Sequence, residues 1–95
     1  MSNKITEAHI KGIMSKAIAT VTHRVYGKAC VVSVQLQNGF VITESSSCVN
    51  PEDYDEKKGL EFALAKVTDK IWELEGYKAH QYPSEIESAD EAAQD

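Results

Sequence analysis

The residues best equipped for chemistry are three histidines, His9, His23 and His80, and two cysteines, Cys30 and Cys48. Nucleophilic catalysis needs a base within hydrogen-bond reach of the nucleophile, and donors for the developing oxyanion. The histidines are scattered over separate stretches, and none stands in a nucleophile context. Ser45-Ser46-Ser47 lacks the glycine flanks of a nucleophile elbow; it reads as a solvated turn after a strand. Zinc ligation wants Cys or His pairs two to five residues apart, and the chain has none. Asp53, Asp55 and Glu56 lack the glycine and terminal glutamate of a calcium loop, and fit better as helix-cap acids. Gly12, Gly27, Gly39, Gly59 and Gly76 spell no phosphate-loop or dinucleotide fingerprint. The expectation is a protein that binds rather than catalyses, with no metal and no cofactor.

Binding chemistry has better candidates. Phe40 directly follows a turn, where a ring can serve as a stacking platform for a base or can simply close one end of the core. Arg24, Lys28, Lys66 and Lys70 are the cations that could answer a phosphate, Arg bidentately and Lys as a point charge. Each also has a bland reading as part of a solvated face. Lys66 has Asp69, and Lys70 has Glu73, three residues on. Phe62, Trp72 and Tyr77 read as core or as an oligomer contact.

The elements that must position these residues are legible from periodicity. Residues 6 to 19 read as an amphipathic helix capped by Thr6, with Ile10, Ile13, Met14, Ala17 and Ile18 on one face. Thr20 to Tyr26 is rich in β-branched residues and ends at Gly27. Ala29 to Leu36 alternates, Asn38-Gly39 interrupts, and Phe40 to Thr43 resumes. Asn-Gly between two strands predicts a type I′ hairpin, and Gly39→Val is expected to be its most damaging surface change. Asn50-Pro51-Glu52-Asp53 is a helix entrance, with a short separate turn to about Tyr54. Asp55 then caps a longer helix ending near Leu74, with Gly76 as its C′ residue and Leu60, Leu64, Val67, Ile71 and Leu74 as its stripe. The fold class is α+β: an N-terminal helix, a small antiparallel sheet, and a long C-terminal helix.

Composition sets the outer limits. Ninety-five residues allow one domain, expected over 1–82, with an acidic, flexible tail over 83–95. The formal charge of −5 is concentrated in that tail, because residues 1 to 78 hold ten acids and ten bases. A balanced body argues against extended nucleic acid as a partner, which needs clustered positive charge. No apolar run is long enough to span a bilayer, and no signal segment opens the chain. Two cysteines in apolar, β-like surroundings suit buried free thiols of a reducing compartment, so a cytoplasmic protein is expected. The second face of the sheet, with Val31 and Phe40 or Val41, looks too apolar for open water and suggests a homo-oligomer.

Three blocks carry a resemblance: Asn38-Gly39-Phe40, then Ser47-Cys48-Val49-Asn50-Pro51-Glu52-Asp53-Tyr54-Asp55, then Lys70-Ile71-Trp72-Glu73-Leu74-Glu75-Gly76-Tyr77. Together with Val25-Tyr26-Gly27 they resemble the bacteriophage gene-product-49/66 family of small phage and prophage proteins. Mild departures are Glu44, where Gly is common, and Asn50, where Asp or Ser often sits. The chain also looks similar to the first described type of Thoeris anti-defence protein, whose members are oligomeric sponges for cyclic nucleotide-like immune signals. That resemblance implies a cyclic nucleotide-like ligand, with Phe40 stacking on a base and Asn50 hydrogen-bonding. Arg24 or Lys70 could arrive from a neighbouring copy to meet phosphate. A protein–protein module acting on a host factor, and a purely structural domain, are the other readings.

Overall fold

The computed structural model of the protein describes residues 5–81. The acidic tail expected over 83–95 lies outside the described residues. Helix α1, Glu7–Ser15, leads into strands β1, Ile18–Val25, β2, Ala29–Gln35, and β3, Val41–Ser47. A single 3₁₀ turn at Pro51–Asp53 precedes helix α2, Glu56–Gln81. The strands form one antiparallel sheet in the order β1-β2-β3, each beside its neighbour in sequence. This is the expected α+β architecture.

Helix α1 begins as expected, with the His9 amide donating to Thr6 Oγ1 at 3.1 Å. It ends four residues early. Ile18, Thr20, Val21 and Thr22 are β-branched and lose side-chain freedom in a helix, whereas an extended chain accommodates them. Ala17 and Ile18 therefore leave the helical stripe, and Ile18 opens β1 opposite Gln35.

The type I′ turn expected at Asn38-Gly39 does not form there. Between β2 and β3, the Gly39 amide donates to the Leu36 carbonyl at 2.8 Å, and only Gly39 has a positive φ, +94°. Asn38 is not left-handed. The connection is a turn over Leu36–Gly39 followed by a left-handed glycine, the three-residue loop, and Asn38 Oδ1 braces it by accepting from the Phe40 amide at 3.0 Å. The two-residue turn with both central residues left-handed lies between β1 and β2. There Tyr26 has φ 54° and Gly27 φ 79°, and the Lys28 amide donates to the Val25 carbonyl at 3.2 Å.

Side chains alternate along β2, so Cys30, Val32 and Val34 point inward with Ile42 from β3, and all four are buried. Helix α2 lays Ala63, Val67 and Ile71 on them, and Ile10 of α1 joins the same core. Burying each such branched side chain contributes about 1.5–3 kcal/mol. The helix crosses β3 and β2 and reaches β1 only marginally. It also runs on through Gly76 to Gln81, so Gly76 is interior rather than terminal.

Several other expectations are corrected. Ser45, Ser46 and Ser47 belong to β3, where Ser46 Oγ donates to the Gly59 carbonyl at 2.7 Å and so ties the strand to the helix. Phe62, Trp72 and Tyr77 are not core residues; each is exposed on α2. The outer face of the sheet exposes Ile18 and Val41 and also carries Val31, with hydroxyl side chains between them. Across it Thr20 faces Ser33, and Ser33 faces Thr43 with their hydroxyls 3.1 Å apart. Cys30 and Cys48 are free thiols as expected, although Cys48 is only partly buried.

Candidate functional site

The four residues singled out from sequence fall in three places. Arg24 and Asn50 share one end of the sheet, Phe40 is at the other end, and Lys70 is on α2.

The Arg24 end is built from backbone upward. Register shifts between Thr22 and Val25, and Arg24, inside that bulge, is left-handed with φ 58°. Left-handed backbone costs an L residue roughly 1–2 kcal/mol. Arg24, Tyr26 and Gly27 all adopt it within one turn, so the strand end is held by its surroundings. The Gly27 amide donates to the Arg24 carbonyl at 2.8 Å. The Cys48 amide donates to the Lys28 carbonyl at 3.0 Å, lacing the chain before Asn50 to this turn. Pro51 packs on Gly27, where a Cβ would stand 3.6 Å from Pro51 Cβ.

Beneath the turn lies Tyr54, which is buried. Its hydroxyl meets His23 Nδ1 at 2.8 Å, and the Arg24 guanidinium carbon sits 5.1 Å from its ring centre. Burial, with the Cys30 thiol beside the hydroxyl, pushes its pKa above the ordinary tyrosine value. Arg24 Nε also lies 3.5 Å from Glu56 Oε2, with both side chains about half exposed. Such a surface pair is weak and easily exchanged for another anion. Tyr26, two residues on from Arg24, is 92% exposed. This end of the sheet thus carries an exposed phenol ring, a guanidinium resting on a second ring, and the Asn50 amide, whose Nδ2 reaches Asp53 Oδ2 only at 3.5 Å.

The helix entrance expected at Asn50 offers no free amides to an anion. The 3₁₀ turn has only three residues and starts with Pro51, which has no N–H. The Asp53 and Tyr54 amides already donate to the Asn50 and Pro51 carbonyls. The start of α2 is also satisfied, since the Lys58 amide donates to Asp55 Oδ1 at 3.1 Å, which holds the Asp55 pKa below its ordinary value. Any phosphate here must be met by side chains.

Phe40 remains half exposed rather than sealed in the core. The whole of β3 separates it from Asn50, about 24 Å at 3.4 Å per residue. One copy of the chain cannot apply both residues to one small ligand. Near Phe40 a cavity of about 470 Å³ opens between α1, the hairpin loop and the far part of α2, with walls including His9, Lys16, Asn38 and Glu75. His9 Nε2 meets Glu75 Oε1 there at 2.8 Å and joins the two helices.

Lys70 is poorly placed for phosphate. Its ammonium is held by Glu73 Oε1 at 2.9 Å, which raises its pKa, and Glu44, Asp69 and Glu73 share its cleft. Three carboxylates against Lys66 and Lys70 repel an anion. Lys66 does not use Asp69 as expected; its Nζ donates to the Ser45 carbonyl at 2.7 Å. Sequence reading missed the His23–Tyr54 pair beneath Arg24 and the exposure of Tyr26. The one available signal was Tyr26 standing before Gly27 at a strand end, where burial of a large ring is hard to arrange.

The class defined by these features is a small α+β domain with a three-stranded meander under one long helix and an open aromatic–cationic platform at one end. The sequence pattern of the Phage protein (N4 Gp49/phage Sf6 gene 66) family matches residues 3–82, and the chain belongs to that family. No curated protein and no solved structure matches it. Among the described residues no helix is long and apolar enough to cross a membrane, and no cluster of His, Cys, Asp or Glu could hold a metal ion.

Proposed function

We propose that this phage-family protein is a non-catalytic binder that sequesters a flat, anionic, cyclic nucleotide-derived signal, and that it does so as an oligomer. The observation that carries the reading is Tyr26. A large ring is held 92% exposed on left-handed backbone, at the end of the sheet that also carries Arg24 and Asn50. Both features cost stability, and a stacking surface beside a guanidinium gives them a use. Phe40 offers a second exposed ring, and its distance from Asn50 is why more than one copy is required for the site implied by the family resemblance. In this reading Lys70 is a structural pair with Glu73 rather than a ligand contact.

Calorimetry with cyclic ADP-ribose isomers and cyclic dinucleotides tests the proposal. Binding without turnover, weakened at least about fivefold by Phe40→Ala and by Tyr26→Ala, is expected from lost stacking of about 1 kcal/mol or more each. No heat with any of these ligands refutes it. The exposed Phe62 and Trp72 of α2 favour a second reading, a module that docks on a host protein. A pulldown from host lysate that loses a specific protein on Phe62→Ser would favour that alternative.

A further inference from the structure

At the end of the sheet away from Arg24, the cavity of about 470 Å³ has a wall that packing does not explain. Gly12 stands in the middle of α1 and lines it. Glycine is the poorest helix former after proline, and nothing at this position requires it. Its φ is not positive, and a Cβ there would meet nothing but its own helix within 4 Å. What a side chain at residue 12 would take is room in the cavity.

The polar groups of the lining are mostly donors. Lys16 closes α1 and Lys78 belongs to α2, and each brings an ammonium. Asn38 Oδ1 already accepts from the Phe40 amide at 3.0 Å, which leaves its Nδ2 hydrogens for a ligand. Glu75 is the one carboxylate among the described lining residues, and it accepts from His9 Nε2 at 2.8 Å. That balance favours a negatively charged group, because N–H donors bond an ionised acceptor more strongly than a neutral one. The rest of the lining is aliphatic, chiefly Ile13 and Leu36, both half-buried. No described residue of the lining is aromatic, so a flat base has no ring to stack on, in contrast to Tyr26 at the other end. The volume lies within the range of small-molecule sites. At about 30 Å³ per water it has room for roughly fifteen water-sized groups, enough for the roughly ten heavy atoms of an eight-carbon acid.

We infer that this cavity is a second binding site, for a small aliphatic carboxylate, with Lys16 and Lys78 at its head and Ile13 and Leu36 along its chain. Gly12 keeps the path of that chain open. His9 fixes α1 against α2 and withholds the Glu75 carboxylate from the bound anion. The site goes beyond the nucleotide-derived signal proposed above and shares no residue with the Arg24 end.

The test is a nitrogen-15 NMR titration of the full chain with octanoate, butanoate and octylammonium, on wild type, Gly12→Leu and Lys16→Glu. Circular dichroism reports whether each variant is folded. Expected with octanoate is a saturable shift of the Gly12, Lys16, Leu36 and Asn38 amides. Butanoate, four methylenes shorter, should bind at least about tenfold more weakly, since each buried methylene is worth about two- to fourfold. Octylammonium should give no saturable shift there. Gly12→Leu fills the cavity and Lys16→Glu reverses a charge, and each should weaken octanoate at least about tenfold. Should Gly12→Leu fail to fold, Lys16→Glu decides, and octylammonium tests the sign of the site on wild type alone. The inference is overturned by no saturable shift with octanoate, by shifts confined to the Arg24 end, by octylammonium binding as tightly as octanoate, or by octanoate binding unchanged in a folded variant. The nucleotide reading fails separately, by calorimetry of the wild type with the cyclic nucleotides.

Discussion

The Arg24 guanidinium lies over the Tyr54 ring, 5.1 Å from its centre, and so a residue of the open platform rests on one of the core. The ring is fixed in turn by His23 Nδ1 at its hydroxyl, 2.8 Å away. Tyr54→Phe keeps the ring and removes the hydroxyl. It is expected to cost about 1 kcal/mol in urea unfolding, because His23 loses its partner. Arg24 should keep its place, so ligand affinity should change less than on Arg24→Ala.

The same hydroxyl sets an alkaline limit. Burial raises the Tyr54 pKa above the ordinary value of 10.0, so the folded state holds that proton more tightly than the unfolded state does. Its contribution is fully present below pH 10 and falls as pH rises from there through the folded value. Unfolding midpoints measured from pH 8 to 11 should therefore decline less steeply for Tyr54→Phe than for wild type.

Tyr26 separates stability from binding. Asn-Gly suits a type I′ turn far better than Tyr-Gly, and the tyrosine ring buries almost nothing. Tyr26→Asn should stabilise the protein by about 0.5–1 kcal/mol, by relieving part of the left-handed penalty. It should weaken ligand binding at the same time. A variant that is less stable than wild type would show that the ring has a packing role.

Three glycines should respond in different ways. Gly76 is inside α2 with nothing but its own helix within 4 Å of where a Cβ would stand, so Gly76→Ala should stabilise by about 1 kcal/mol through helix propensity. Gly39 has equal room but φ +94°, and Gly39→Val should cost about 1–2 kcal/mol from the backbone alone. At Gly59 a Cβ would stand 3.0 Å from Tyr54 and 3.3 Å from Cys30 Cβ. Gly59→Val should overpack that contact by about 1–3 kcal/mol, and denaturant midpoints for the three variants give the order directly.

Asp55 supplies an acid limit. The Lys58 amide at its carboxylate lowers the Asp55 pKa below 3.8, so the folded state prefers it ionised. That contribution is present above pH 3.8 and is lost as pH falls through the folded value. Asp55→Ala should lower the thermal midpoint at pH 7, and the gap to wild type should close in acid.

Local signals in the sequence were strong enough to place every element. The alternation from Cys30 to Val34 and the stripe through Val67 and Ile71 gave the core face and its helical cover. Boundaries failed where tertiary contacts overrode propensity. Gly76 is a weak helix former, yet α2 continues through it. Ser45–Ser47 look like a turn, but the bond from Ser46 to the Gly59 carbonyl keeps them in a strand. The site was less legible for a related reason. Arg24 and Asn50 come to the same end of the sheet because the Cys48 amide finds the Lys28 carbonyl twenty residues away, and no spacing announces that. Phe40 and Asn50, ten residues apart, are far apart because an unbroken strand runs between them.

The meander has a consequence during synthesis. Every strand pairs with the one made just before it, so the sheet can close once residue 47 has left the ribosome. Its lid, Ala63, Val67 and Ile71, is translated last. For roughly two dozen residues of elongation Cys30, Val32, Val34 and Ile42 are open to proteases and to other nascent chains, and a product truncated ahead of Ile71 would never escape that state.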